Sequence, residues 1–179
     1  MGIRDAEIQR LVHYAKSLGV SVIFLRKYDK HASADWALDG TEITIYNSKN
    51  KNKTEIIMDL LHELGHSLWW IHEKNRQPDL KFEEAIYRQN LVEKDDLKNP
   101  APKHLRKKIV NIEKAGTLWW FSICKEVDIK ISEWKVNLFM EFDIWAYEIY
   151  YETGFFPTSK KKKEKFKELR SKWKPGIGG

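Results

Sequence analysis

The sequence predicts an α+β fold from three observations: apolar residues at helical spacing near both ends of the chain, a β-branched segment followed by a hairpin signal, and an apolar-periodic helix directly after that hairpin. With 179 residues, 42% hydrophobic and 13% aromatic, the chain is long enough to bury one sizeable core. A single domain over residues 1–157 is expected, followed by a basic tail over 158–179.

Taken in order, residues 5–18 place Ile8, Leu11, Val12, Ala15 and Leu18 at helical spacing, with Asp5 as cap and Gly19 as stop. VSVIFL at 20–25 is rich in β-branched residues, and ADWAL and TEITIY flank Asp39-Gly40, a strong hairpin dipeptide. A small antiparallel sheet follows from these. NSKNKNK reads as a loop, and Thr54 is placed to cap a helix carrying Ile57, Leu60, Leu61, Leu64 and Leu68. The second half reads as mostly helical. A helix is expected over 80–94, then a breaker around Pro100 and Pro102, then a helix over 104–125 weakened by Gly116. Ser132 is placed to cap a last long helix reaching Glu152, with Trp134, Leu138, Phe142, Trp145 and Ile149 as its buried stripe.

No apolar run approaches the roughly 18 residues of a membrane-spanning helix, so no membrane partner is expected. Cys124 is the single cysteine and MGIRDAEIQR has no apolar stretch, which points to a reducing, cytoplasmic setting. Net charge is +6 and the isoelectric point about 9.2. Residues 160–174 hold nine Lys or Arg against two Glu, a local +7, which leaves −1 for everything else. The charge thus belongs to a tail on a nearly neutral body.

Residues 62–66 read His-Glu-Leu-Gly-His, the HExxH signature of zinc metallopeptidases. Four helical residues advance by about 400°, so His62 and His66 leave one face a turn apart, spaced to share one Zn²⁺. Glu63 lies about 100° round, where it can reach a metal-activated water as general base. The chemistry this suits is hydrolysis of an amide. Chance supplies such a motif about 0.02 times in a chain of this length and composition. The bland alternative is a pair of ordinary histidines on an amphipathic helix.

A catalytic zinc site needs a third protein ligand. His72 has the metzincin spacing, HExxHxxGxxH, but Trp69 stands where that pattern needs a turning glycine. Glu84, in KFEEAIYRQN, has a spacing resembling the glutamate helix of gluzincins, with Arg88 where those families place an orienting acid. The third candidate is Glu141, in LFMEFDIWAYEIYYETGFFP. His-Glu-Leu-Gly-His followed at a distance by Glu-x-Asp-x-Trp-Ala resembles small cytoplasmic metallopeptidases of phage and mobile elements, related to the ImmA/IrrE group. That resemblance, which covers about a third of the chain, implies a minimal zincin-like fold, a protein or peptide substrate, and Glu141 as the third zinc ligand. Glu148, on the same face, is then a candidate for an outer acid. By analogy with zincins, TEITIY or ADWAL would pair with an extended substrate.

Trp69-Trp70 and Trp119-Trp120 are read as core, with a substrate cleft as the alternative. His13, His31 and His104 have no partner at ligand spacing and are read as structural or solvent-facing. Tyr147, Tyr150 and Tyr151 offer hydroxyls near the Glu141 segment. The tail keeps Phe166, Leu169 and Trp173 on one side of a short docked helix, its lysines forming a solvated face or a nucleic-acid contact. A reading of a different class follows from that tail: a nucleic-acid- or protein-binding module whose zinc site is structural or inactive.

Overall fold

Asp5 opens the first helix, α1 (Ala6–Ser17), by accepting hydrogen bonds from the amides of Glu7 and Ile8 at 3.0 and 3.3 Å. Gly19, at φ +79°, closes it: its amide bonds to the Lys16 carbonyl while that of Val20 bonds to Ala15, so the orphan carbonyls of the last turn are satisfied. The computed structural model describes residues 5–27, 33–37, 40–46, 48–73 and 103–173. The expected helix over 80–94, with Glu84, and the breaker around Pro100 lie outside them.

The fold is α+β and mostly helical, with one three-stranded sheet. Its strands are β1 (Ser21–Phe24), β2 (Ala34–Trp36) and β3 (Glu42–Ile45), in the order β1-β3-β2. The hairpin around Gly40 forms as expected, with Ala34 opposite Ile45 and Trp36 opposite Ile43. The expectation of a purely antiparallel sheet is corrected: β1 runs parallel to β3, Ser21 facing Glu42 and Phe24 facing Ile45. β3 lies between β1 and β2 and reverses direction from β2 at the hairpin, so β1 and β2 run in opposite directions along its two edges. This placement also corrects the substrate-pairing expectation for TEITIY, because both edges of β3 are taken. Among the described residues, no strand pairs with the outer edge of β2.

Ile43 and Ile45, on one face of β3, are buried against α2 (Lys53–Glu73). The cap of α2 is Asn52 rather than Thr54. Asn52 Oδ1 accepts from the Glu55 amide at 3.1 Å while Glu55 Oε2 accepts from the Asn52 amide at 2.8 Å. Glu55 three residues on makes this a reciprocal capping box, whereas Thr54 would have had Ile57 in that place.

The chain divides into two units, Met1–Asp79 with Ala115–Lys130, and Leu80–Lys114 with Ile131–Gly179. The helix expected over 104–125 is two: α3 (Lys103–Leu118) and α4 (Trp120–Glu126). The Trp119 amide bonds to the Gly116 carbonyl, a tightened turn at the point where glycine weakens the helix. Its consequence is that Leu118 is 74% exposed while Trp120 and Ile123 are buried.

The second unit is built on α5 (Glu133–Thr153) and α6 (Ser159–Trp173), which pack together. Ser132 sits at the cap of α5 without a side-chain hydrogen bond, and Gly154 ends it at φ +78°. The buried residues of α5 are Val136, Leu138, Ala146 and Tyr151, so of the expected stripe only Leu138 is fully buried. Trp134, Phe142, Trp145 and Ile149 are half-buried, because this helix carries large apolar groups on every side and apolar spacing alone selects no face.

Lys53 joins the first turns of α1 and α2 through Glu7 and through Asp5, the latter at 3.1 Å. The Lys53 ammonium holds the Glu7 carboxyl below its ordinary range, opposed by partial burial. A carboxyl lowered in the folded state contributes stability above its unfolded pKa, about 4.3, which is lost as pH falls through the folded value. Urea midpoints are therefore expected to drop on acidification below about pH 5, and less in Glu7→Gln. The difference is small because solvent screens the pair. Equal acid sensitivity in both proteins would contradict it.

Candidate metal centre

Helix α2 is buried on all sides from residue 60 to 68, between the sheet, α1 and α4. Besides Ser67, three titratable side chains sit in that apolar stretch: His62, 7% exposed, Glu63, 6%, and His66, 1%. Burying three titratable groups without a shared purpose is costly. Their potential ligand atoms all lie within 4.8 Å of one another. The two histidine Nε2 atoms are 3.1 Å apart, with the rings edge to face at 80°.

That separation tests whether the residues fit a metal. Two nitrogens about 2.0–2.1 Å from a tetrahedral Zn²⁺ stand roughly 3.3 Å apart. The imidazoles are thus close to the edge of a zinc tetrahedron as they stand, and the donor set, two imidazole nitrogens and a neighbouring carboxylate, is of the type zinc takes. A proton shared between the two nitrogens also suits the distance, since a metal replaces such a proton.

Aromatic rings fix both histidines. Trp36, on β2, stacks on His66 with centroids 5.8 Å apart and planes at 11°; Trp120, on α4, meets His62 edge to face at 6.0 Å. Each wall is pinned separately. Lys51 bonds Asp59 of α2 at 2.5 Å, and Ser33 Oγ donates to the same carboxylate at 2.6 Å, which ties the start of β2 to the helix. Arg10 of α1 donates to the carbonyls of Val127 and Asp128 at 2.7 and 2.8 Å and so holds the chain just after α4.

Gly65 sets how closely α2 can be approached. A Cβ there would overlap the Gly116 carbonyl oxygen and lie 2.8 Å from its carbonyl carbon. In turn, a Cβ on Gly116 would sit 3.0 Å from His66 Nδ1. The end of α3 therefore crosses α2 backbone to backbone, on the turn that carries the histidines. No ligand or catalytic pattern in the sequence assigns a role to either glycine or to Trp36. The available signal was the middle of the motif itself, since a glycine inside a buried helix needs a packing reason.

Of the candidates for a third ligand, His72 lies on α2, which continues unbroken to Glu73; its ring stacks on Trp119 at 4.8 Å and 12°. Glu84 falls outside the described residues. Glu141 belongs to the second unit, where its carboxylate accepts from Lys172 Nζ at 2.8 Å and from Trp173 Nε1 at 2.7 Å. The Lys172 ammonium, helped by the indole N–H, holds the Glu141 carboxyl below its ordinary range despite partial burial. It is anionic, as a ligand must be. Glu148 is exposed and pairs with Lys114 at 3.4 Å, which makes it a surface acid in this structure. Tyr147 and Tyr150 pack on Phe156, and Tyr147 stacks on Tyr151. His13 is exposed. Burial pushes the Cys124 thiol up to about 11, so it offers no thiolate at neutral pH.

Among the described residues, no helix is long and apolar enough to cross a membrane. The chain matches no protein-family model, no curated protein and no solved structure.

Proposed function

We propose that this protein is a zinc-dependent metallopeptidase with a minimal zincin-like fold, acting on a cytoplasmic protein or peptide. The observation that carries the reading is the buried His62-Glu63-His66 cluster, with its two Nε2 atoms 3.1 Å apart. His62 and His66 would hold one zinc ion, and Glu141 would be its third ligand. The resemblance of HELGH and Glu-x-Asp-x-Trp-Ala to small phage and mobile-element metallopeptidases supports that choice.

When bound, zinc supplies Lewis acidity that brings the pKa of water towards about 7 and polarises a carbonyl. Glu63 takes a proton from the attacking water as its oxygen bonds to the carbonyl carbon. It then delivers that proton to the amide nitrogen as the C–N bond breaks. Trp36 and Trp120 keep both imidazoles in one orientation, so the nitrogens need no reorganisation to bind metal. The outer edge of β2 offers backbone donors and acceptors to an extended substrate, and Trp36 links that edge to His66.

Glu63→Gln tests the chemistry. It is expected to retain zinc at the wild-type stoichiometry while hydrolysis of a quenched-fluorescence peptide library falls by roughly 10²–10⁴. Undiminished hydrolysis would remove Glu63 as the base. Comparing zinc affinity in Glu141→Gln and Glu84→Gln identifies the third ligand: its loss is expected to weaken zinc binding more than about a hundredfold.

A further inference from the structure

Helix α6 combines cations and aromatics in a way that its docking on α5 does not require. At about 100° per residue, Lys162, Lys163, Phe166, Lys167 and Arg170 fall within an arc of roughly 140° on one side of α6, while Glu164 and Glu168 lie about 200–240° round from Lys162. Packing on α5 uses one edge of this arc: Leu169, about 20° outside it, is fully buried, and Trp173, about 20° inside it, bonds to Glu141. The cationic arc borders an open cleft of about 360 Å³, lined by Phe142 of α5 with Lys162, Lys163, Phe166, Lys167 and Arg170.

The lining contains four positive charges and no negative one. Glu168 is occupied with Lys165 at 2.7 Å, and Lys172 with Glu141. Among the described residues, Lys162, Lys163, Lys167 and Arg170 form no ion pair. Of the two acids on this helix, Glu168 is taken by Lys165, and only Glu164, three residues before Lys167, lies one turn from a lining cation. The floor of the cleft is aromatic: Phe142 and Phe166 meet edge to face at 5.7 Å, both half-exposed. Cations around partly accessible aromatic rings match a ligand that presents negative charge and a flat π surface together. Single-stranded nucleic acid has both, its unpaired bases free to stack and its phosphates a few ångströms away. Duplex DNA hides the base faces, and an acidic peptide would leave the phenylalanines unused.

We propose that the α5–α6 face binds single-stranded nucleic acid, with a base on Phe142 and Phe166 and the flanking phosphates on Lys162, Lys163, Lys167 and Arg170. This site is independent of the zinc reading, and its test is run in EDTA so that the two fail separately. Full-length protein is titrated into fluorescein-labelled dT12 and followed by anisotropy at several salt concentrations. Saturable binding is expected, with log K falling against log salt at a slope of about −2 to −3, as three or four phosphate contacts require. Lys163→Glu/Lys167→Glu, both exposed positions, is expected to lose at least about tenfold and to flatten the slope by about 1.4. Phe166→Leu keeps an apolar side chain against α5 and is expected to lose about fivefold or more by removing the stacking surface. The proposal is overturned if dT12 does not bind, if the double-lysine variant binds it as wild type does, or if a 12-base-pair duplex binds equally well. Binding to phosphatidylserine vesicles in place of dT12 would reassign the face to a membrane surface.

Discussion

Gly65→Ala is expected to destabilise the first unit by about 3 kcal/mol or more, at the upper end of what overpacking produces. Helix propensity alone predicts the opposite sign, since alanine exceeds glycine by about 1 kcal/mol in a helix interior. Geometry wins here because the obstacle is the backbone of Gly116, which cannot rotate away as a side chain would. Relief would require α3 to retreat from α2, with loss of packing along the turn that holds His66. A control comes from Gly19, where a Cβ meets nothing within 4 Å and only the positive φ is penalised. Gly19→Ala should therefore lose about 1–2 kcal/mol. Urea titrations of the three proteins decide the matter: a Gly65→Ala protein as stable as wild type would mean that the two helices do not cross this closely.

His62→Ala and His66→Ala are each expected to abolish stoichiometric zinc binding. Removing even a group that merely orients a zinc ligand weakens metal binding by about 10–100-fold, so loss of a ligand itself should exceed a hundredfold. Stability reports the same event. Zinc at about a hundred times its Kd should stabilise the wild type by about 2.7 kcal/mol and leave both variants unmoved. Metal analysis after gel filtration, with melting curves in zinc and in EDTA, reads both effects. Wild type without bound metal, or either variant retaining it, would defeat the metallopeptidase reading at its root. That reading would survive a negative result with dT12, which concerns the other unit alone.

Much of this was legible along the chain, and the exceptions share a cause. HELGH within an apolar-periodic run places His62 and His66 on one turn, because helical spacing is a local rule; Asp39-Gly40 and Asp5 marked their hairpin and cap for the same reason. The direction of β1 was not legible, since alternation along a strand is the same in parallel and antiparallel pairs. Gly116 marked the weak point of the 104–125 helix, but its approach to Gly65, fifty-one positions earlier, is contained in no local pattern. Similarly, Trp120 reads as one of two adjacent tryptophans until α4 turns it onto His62. On α5, apolar residues lie on every side, so periodicity had no single stripe to report. The partners of Glu141, Lys172 and Trp173, come from a helix whose sequence shows mainly charge.

The first unit is interrupted in sequence, taking Met1–Asp79 and then Ala115–Lys130. Synthesis runs from the N-terminus, so HELGH leaves the ribosome well before the residues that complete its surroundings. At about 5–20 residues per second, the intervening 80–114 segment imposes a delay of roughly 2–7 s. During that interval α2 has the sheet and α1 beside it, but neither the Gly116 crossing nor the Trp120 ring. A nascent chain paused before residue 115 thus carries both histidines without the enclosure that orients them. Chain growth itself sets the earliest moment at which this site can mature.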